Sequence, residues 1–186
     1  MRSGATIRNN RTGESITMIV SEEDSAGARQ FYEVHLPAHR PSPPRHYHLD
    51  FSETFSVVAG GLDIFLDREH RHVVLRPGES LTVGPRQIHT FANLRATPSR
   101  ITIDTRPAAG VVRAFEIAYG VANDGGSGPD GLPTDPLTRL IFTRTTQGYL
   151  PQIPLSLQKI AFRAAVALSY LTGLHRRLSR YTADRR

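Results

Sequence analysis

The spacing of hydrophobic and polar positions changes once along the chain. Up to about residue 106, apolar residues come in short runs, many alternating with polar ones and bounded by turn formers. This pattern predicts strands over 15–20, 29–36, 53–59, 62–66, 70–75, 80–83, 89–93 and 100–105. Gly60-Gly61 and Arg76-Pro77-Gly78 fall between such runs, where freedom at positive φ and a fixed proline φ favour sharp, hairpin-like connections. Many short strands at regular spacing predict a β-sandwich or barrel.

After Pro107 the period becomes helical, with Val111, Phe115, Ala118, Tyr119 and Ala122 in step, followed by a loop over 123–133 rich in Gly, Asp and Pro. Asp135 as N-cap and Pro136 at the first position start a second helix. Its face of Leu137, Leu140 and Ile141 is expected to pack on the barrel. A last helix over 156–178 carries Leu157, Ile160, Ala161, Ala164, Leu168, Leu171 and Leu178 on one stripe. Phe162, Val166, Tyr170 and Gly173 make a second side apolar. One barrel surface cannot bury both sides, so a homodimer is the expected cover for the second. At 186 residues the chain suits one core: a barrel over 1–106 with its site, and a helical extension over 107–186 of the same domain.

Composition narrows the chemistry. There is no cysteine, which excludes disulfides, thiolate ligands and cysteine nucleophiles; any metal ion must sit on nitrogen and oxygen. The first twenty residues lack the apolar core of a signal peptide and no stretch is long enough to span a membrane, so a cytoplasmic protein is expected. The net charge of +6 is local: 16 basic and 16 acidic residues cancel over 1–155, and the excess lies beyond Ser156. Arg176, Arg177, Arg180, Arg185 and Arg186 fit solvated cations at a helix C-terminus better than contact with a membrane surface. Nothing before the barrel has the length of a helix-turn-helix, so no nucleic-acid partner is expected.

The chemistry-bearing segment is PPRHYHLDFSETFSVVAGG. His46 and His48 are two apart and on extended backbone project to one side, and Glu53 follows five residues later. His89, in GESLTVGPRQIHTFAN, adds a third imidazole. Three nitrogens and one oxygen suit one divalent transition metal ion, Fe, Mn, Ni, Cu, Co or Zn, better than Mg or Ca. His35, His39, His175 and the pair His70 and His72 lack such partners and read as solvated.

The arrangement resembles the two cupin motifs. The first has the form His-x-His, three or four residues, Glu, six residues, Gly, and is matched by His46, His48, Glu53 and Gly60. Gly78, His89 and Asn93 fall in register with the second. Arg40 replaces the glycine that heads the first motif; Gly84 and Arg86 stand where the second usually has Pro and Gly. No departure touches a ligand position. Most of the chain is similar to small bacterial single-domain cupins of quercetin-dioxygenase-like type with C-terminal helices. The resemblance implies a jelly-roll β-barrel holding a metal ion.

Three functions fit. The leading expectation is a small-molecule oxygenase acting on an apolar or aromatic substrate, with His46, His48, Glu53 and His89 as ligands and Glu53 also as base. Strand alternation makes Phe55, Val57 and Phe91 pocket walls, with Ile101 and Ile103 beside them, and Arg86 a cation at the mouth. The second is a non-redox isomerase or cyclase, with Glu33 and His35 as candidates for proton transfer. The third is a module that binds a small ligand without turnover.

Overall fold

A computed structural model of the chain describes residues 1–67 and 71–182. Among these, the β region holds β1 (Thr6–Arg8), β2 (Ser15–Val20), β3 (Gln30–Leu36), β4 (Ser52–Ala59), β5 (Leu62–Leu66), β6 (Arg71–Leu75), β7 (Ser80–Val83), β8 (His89–Ala92) and β9 (Ser99–Arg106). Two antiparallel sheets result, in the orders β1-β2-β3-β9-β4-β7 and β6-β5-β8. His70 of the predicted 70–75 strand lies outside the described residues.

Alternation decides which side chains face the interior. In β3, β4 and β9 every second residue is buried. Partners across strands share a face, so Gln30, Thr105, Glu53 and Val83 form one inward row and Tyr32, Ile103, Phe55 and Leu81 the next. Tyr32, Phe51, Phe55, Ile64, Leu66 and Ile101 are among the most completely buried side chains. Each large apolar group withdrawn from water contributes about 1.5–3 kcal/mol. Gly60, which ends β4, has φ +79, and a Cβ there would come within 2.6 Å of Ser99 Oγ and 2.8 Å of the Pro98 carbonyl. Only glycine fits that turn.

The chain leaves the sheet at Arg106 and continues in α1 (Val111–Asn123), α2 (Pro136–Thr145), α3 (Leu155–Leu171) and α4 (Leu174–Ser179). Val111, Val112, Ala118 and Tyr119 of α1 join the barrel core. α2 packs on α1, and α3 on α2 and α4, so α2 meets α1 rather than lying mainly on the strands as expected. Asp135 caps α2, accepting from the backbone N–H of Thr138 at 2.7 Å. The predicted last helix is two: Gly173 adopts φ 71 and breaks it between α3 and α4. The orientation of α3 also departs from expectation. Gln158, Phe162, Ala165 and Ser169 face inward, while Leu157, Ile160, Leu168 and Leu171 face out.

Candidate metal centre

The segment carrying His46 and His48 is held extended from both sides. His46 pairs with His89 through reciprocal backbone bonds of 3.0 and 2.8 Å, and Tyr47 pairs with Tyr149 of the extension through bonds of 3.0 and 2.9 Å. Alternation sends Tyr47 to ring contact with Tyr149 and turns His46 and His48 toward His89, with ring centroids 4.5–5.3 Å apart among the three. Glu53 enters from β4, its Oε2 lying 3.2 Å from Nε2 of both His48 and His89. One ligand atom from each of His46, His48, Glu53 and His89 lies within 4.8 Å of every other. Phe51 stacks on His48 at 4.1 Å, and Phe55 approaches His89 at 6.1 Å, so apolar rings flank the cluster.

The second ring nitrogens show which face of each imidazole is free. Nδ1 of His46 donates to the Pro44 carbonyl (2.8 Å), that of His48 to the Gln147 carbonyl (3.1 Å) and that of His89 to the Gln87 carbonyl (3.1 Å). A carbonyl only accepts, so each Nδ1 carries a proton and the Nε2 edge of each ring is left for the cluster, where Nε2 of His89 also lies within hydrogen-bond reach of Glu53 Oε2 at 3.2 Å. Backbone anchoring of this kind is how metal-binding histidines are oriented. Nε2 of His48, though 3.2 Å from Glu53, makes no hydrogen bond. Ring nitrogens and a carboxylate oxygen facing one another in a buried space suit a cation between them. The donor set therefore fits a divalent transition metal ion.

The electrostatics agree. Burial, and then the neighbouring His89 and His48, push the His46 imidazole down to about 3, which keeps it neutral and able to bind a metal. Burial alone would raise Glu53, but the His48 and His89 imidazoles outweigh it and hold the carboxyl well below the usual carboxylate range. Tyr32 is pushed well above the ordinary phenol value, first by burial and then by the Glu53 carboxylate, so its hydroxyl stays protonated.

The cluster opens on a cavity of about 520 Å³. Leu36, Phe91 and Ile103 of the strands and Phe115, Phe142 and Leu150 of the extension make it largely apolar; His46, His48, Glu53, Tyr32 and Arg40 supply polar groups. Of the expected pocket residues, Phe91 and Ile103 line this cavity. Phe55, Val57 and Ile101 share the inward face but are buried in the core and are not part of the wall. Arg86 is exposed and away from the cavity lining. It keeps the left-handed backbone (φ 65) that favours glycine, and its N–H donates to the His48 carbonyl at 2.6 Å. Glu33 and His35 point to the opposite face of β3, Glu33 toward Arg100, so neither reaches the cluster. Tyr32, on the inward face of β3, lines the same cavity as Glu53, and its alternation with Val34 and Leu36 is the sequence signal for it. Arg40, replacing the motif glycine, bonds Glu14 at 3.0 Å and the Asp130 carbonyl at 3.1 Å. His72 lies 3.0 Å from Asp63 and stacks on Phe65, apart from the cluster.

No helix among the described residues is long and apolar enough to cross a membrane. No curated protein matches the chain in sequence. Many solved structures do resemble it. An RmlC-like cupin from Shewanella frigidimarina is 20% identical, over 55% of this chain and 83% of that one, with a TM-score of 0.46. A protein described as a sugar phosphate isomerase of the cupin superfamily, from Silicibacter pomeroyi, is 19% identical, over 56% and 71%, with a TM-score of 0.46. The Cupin_2 domain of an XRE family transcriptional regulator from Enterobacter cloacae is 14% identical, over 50% and 95%, with a TM-score of 0.43. Residues 32–104, which span the four clustered side chains, match the family model described as Cupin domain. Residues 32–104 thus form a cupin domain, in a cupin fold extended by C-terminal helices.

Proposed function

We propose that the protein is a metal-dependent enzyme that converts a small apolar or aromatic molecule by oxygenase chemistry. One observation carries this reading: three imidazoles and a carboxylate cluster together, with His46, His48 and Glu53 on the wall of a largely apolar cavity of about 520 Å³. That volume lies within the range of small-molecule sites, about 300–1,000 Å³. His46, His48, Glu53 and His89 would hold the ion. A redox-active divalent ion there would supply electron exchange with dioxygen and Lewis acidity. Phe91, Phe115 and Phe142 hold a flat apolar substrate against the cluster and keep water from it. The ionised Glu53 carboxylate is the group able to accept a proton from a bound substrate.

A non-redox isomerase or cyclase is the second reading, and Tyr32 favours it. Its protonated hydroxyl shares the cavity with Glu53, so an acid and a base flank one substrate.

The test is metal analysis of protein purified without chelator or added metal, followed by oxygen uptake with a panel of phenolic and other aromatic compounds. The oxygenase reading expects about one Fe, Mn, Ni or Cu per chain and oxygen consumed in step with substrate. Both should be lost in the His46→Ala/His89→Ala variant. Zinc with turnover that proceeds without oxygen would instead establish the second reading.

A further inference from the structure

We propose that the outer face of α3 docks on an anionic membrane surface. α3 packs on α2 and α4. Its inward side is accounted for by Gln158, Phe162, Ala165 and Ser169. On the other side Leu157, Ile160, Leu168 and Leu171 are 57, 60, 47 and 84% exposed, with exposed Ala164 between them. The spacing of three and four residues aligns them in one stripe along a helix roughly 25 Å long, and soluble monomers rarely leave so continuous an apolar strip to water.

Charge identifies the occupant. From 156 to 182 the chain carries Lys159, Arg163, Arg176, Arg177 and Arg180 and no acidic residue, whereas 1–155 is neutral. Arg180 pairs with Asp124 and Arg177 lies near Asp135; Lys159, Arg163 and Arg176 are exposed and form no ion pair among the described residues. A two-fold dimer through α3 would set this patch against its own copy, cations beside cations with no acid to offset them. An anionic lipid surface offers both missing complements: an apolar boundary layer for the stripe and negative headgroups for the cations. Lys159 and Arg163 within the helix keep it in the plane of the surface.

The experiment is co-sedimentation of the full chain with vesicles of phosphatidylcholine alone, or of phosphatidylcholine mixed with phosphatidylglycerol, with light scattering of the free protein alongside. The mixed vesicles should bind the protein and phosphatidylcholine alone should not, with binding weakened by salt. Lys159→Gln and Arg163→Gln should each reduce it about fivefold. Leu168→Glu/Leu171→Glu should abolish it, with circular dichroism and metal content unchanged because both positions are exposed; if that variant fails to fold, the charge variants decide alone. No binding to either vesicle, or binding indifferent to the charge variants, overturns the proposal. A dimer in free solution that Leu168→Glu/Leu171→Glu dissociates, without vesicle binding, overturns it in favour of a second copy of the chain.

Discussion

Replacing Gln158 by leucine, on a helix that contributes no ligand, should weaken metal binding. Gln158 is buried and its amide closes the loop that follows α2: Oε1 accepts from the Leu150 N–H at 2.8 Å, and Nε2 donates to the Leu150 and Ile153 carbonyls at 2.9 and 2.7 Å. At about 1 kcal/mol for each net bond, and with buried backbone groups left unpaired, Gln158→Leu should cost roughly 2–3 kcal/mol. For a chain of this length that is a fall in Tm of roughly 4–12 °C. The same loop carries Tyr149, bonded to Tyr47, and Gln147, whose carbonyl receives Nδ1–H of His48. Loosening it frees the His48 ring, and loss of such an anchoring partner typically costs 10–100-fold in metal affinity. A fall of about tenfold is expected, because Pro44 and Gln87 still fix His46 and His89. Thermal melts of the metal-free protein and Co²⁺ titrations against a competing chelator measure the two effects separately. A lowered Tm with unchanged metal affinity would refute the idea that the extension orients His48.

Glu53→Gln should keep the fold and lower metal affinity by more than the ~100-fold upper range of an outer partner, read by chelator competition; undiminished metal content would remove Glu53 from the ligand set. Tyr32→Phe should leave metal content unchanged and lower turnover by about 10²-fold if the acid–base reading holds; an unchanged kcat would exclude Tyr32 from proton transfer. Gly60→Ala should cost roughly 2–4 kcal/mol in a urea melt, because a Cβ meets Ser99 and Pro98 at positive φ. Asp135→Ala should cost about 1 kcal/mol at neutral pH through loss of the α2 cap. The Thr138 hydroxyl and N–H lower the Asp135 pKa in the folded state, so this contribution is present above the unfolded value. It fades as pH falls through the folded one, and the two proteins should converge in stability at acid pH.

What was legible in the chain was whatever a side-chain period can encode. β2, β5 and β7 end where the alternation and turn residues placed them. β1 went unread because Thr6–Arg8 is short and not buried, leaving no apolar alternation to detect. The period of the last helix was visible, but the side that faces the protein was not, since it sets Gln158 and Ser169 beside Phe162 and Ala165 and is less apolar than the exposed stripe. Gln158 and Phe162 decide it: one bonds the loop carbonyls and the other meets the Tyr149 ring, and neither contact has a period. The four clustered residues could be read because their types and spacing are the signal. The carbonyls of Pro44, Gln87 and Gln147 could not, because every residue carries a carbonyl and only the backbone path aims it.

The departures from the cupin pattern show why the extension belongs to the site. Where the first motif has glycine, Arg40 reaches Glu14 and the Asp130 carbonyl, tying the strand before the histidines to the start of the barrel and to the loop between α1 and α2. That loop and α2 then supply Leu132 and Phe142 to the cavity, and the residues after α2 supply Thr146, Leu150 and the anchor of His48. Strands alone would present the four ligands on an open face. An extension that adds Phe115, Leu132, Phe142 and Leu150 to the apolar wall and anchors one clustered histidine makes cavity shape a property of residues 107–150 as much as of the motifs.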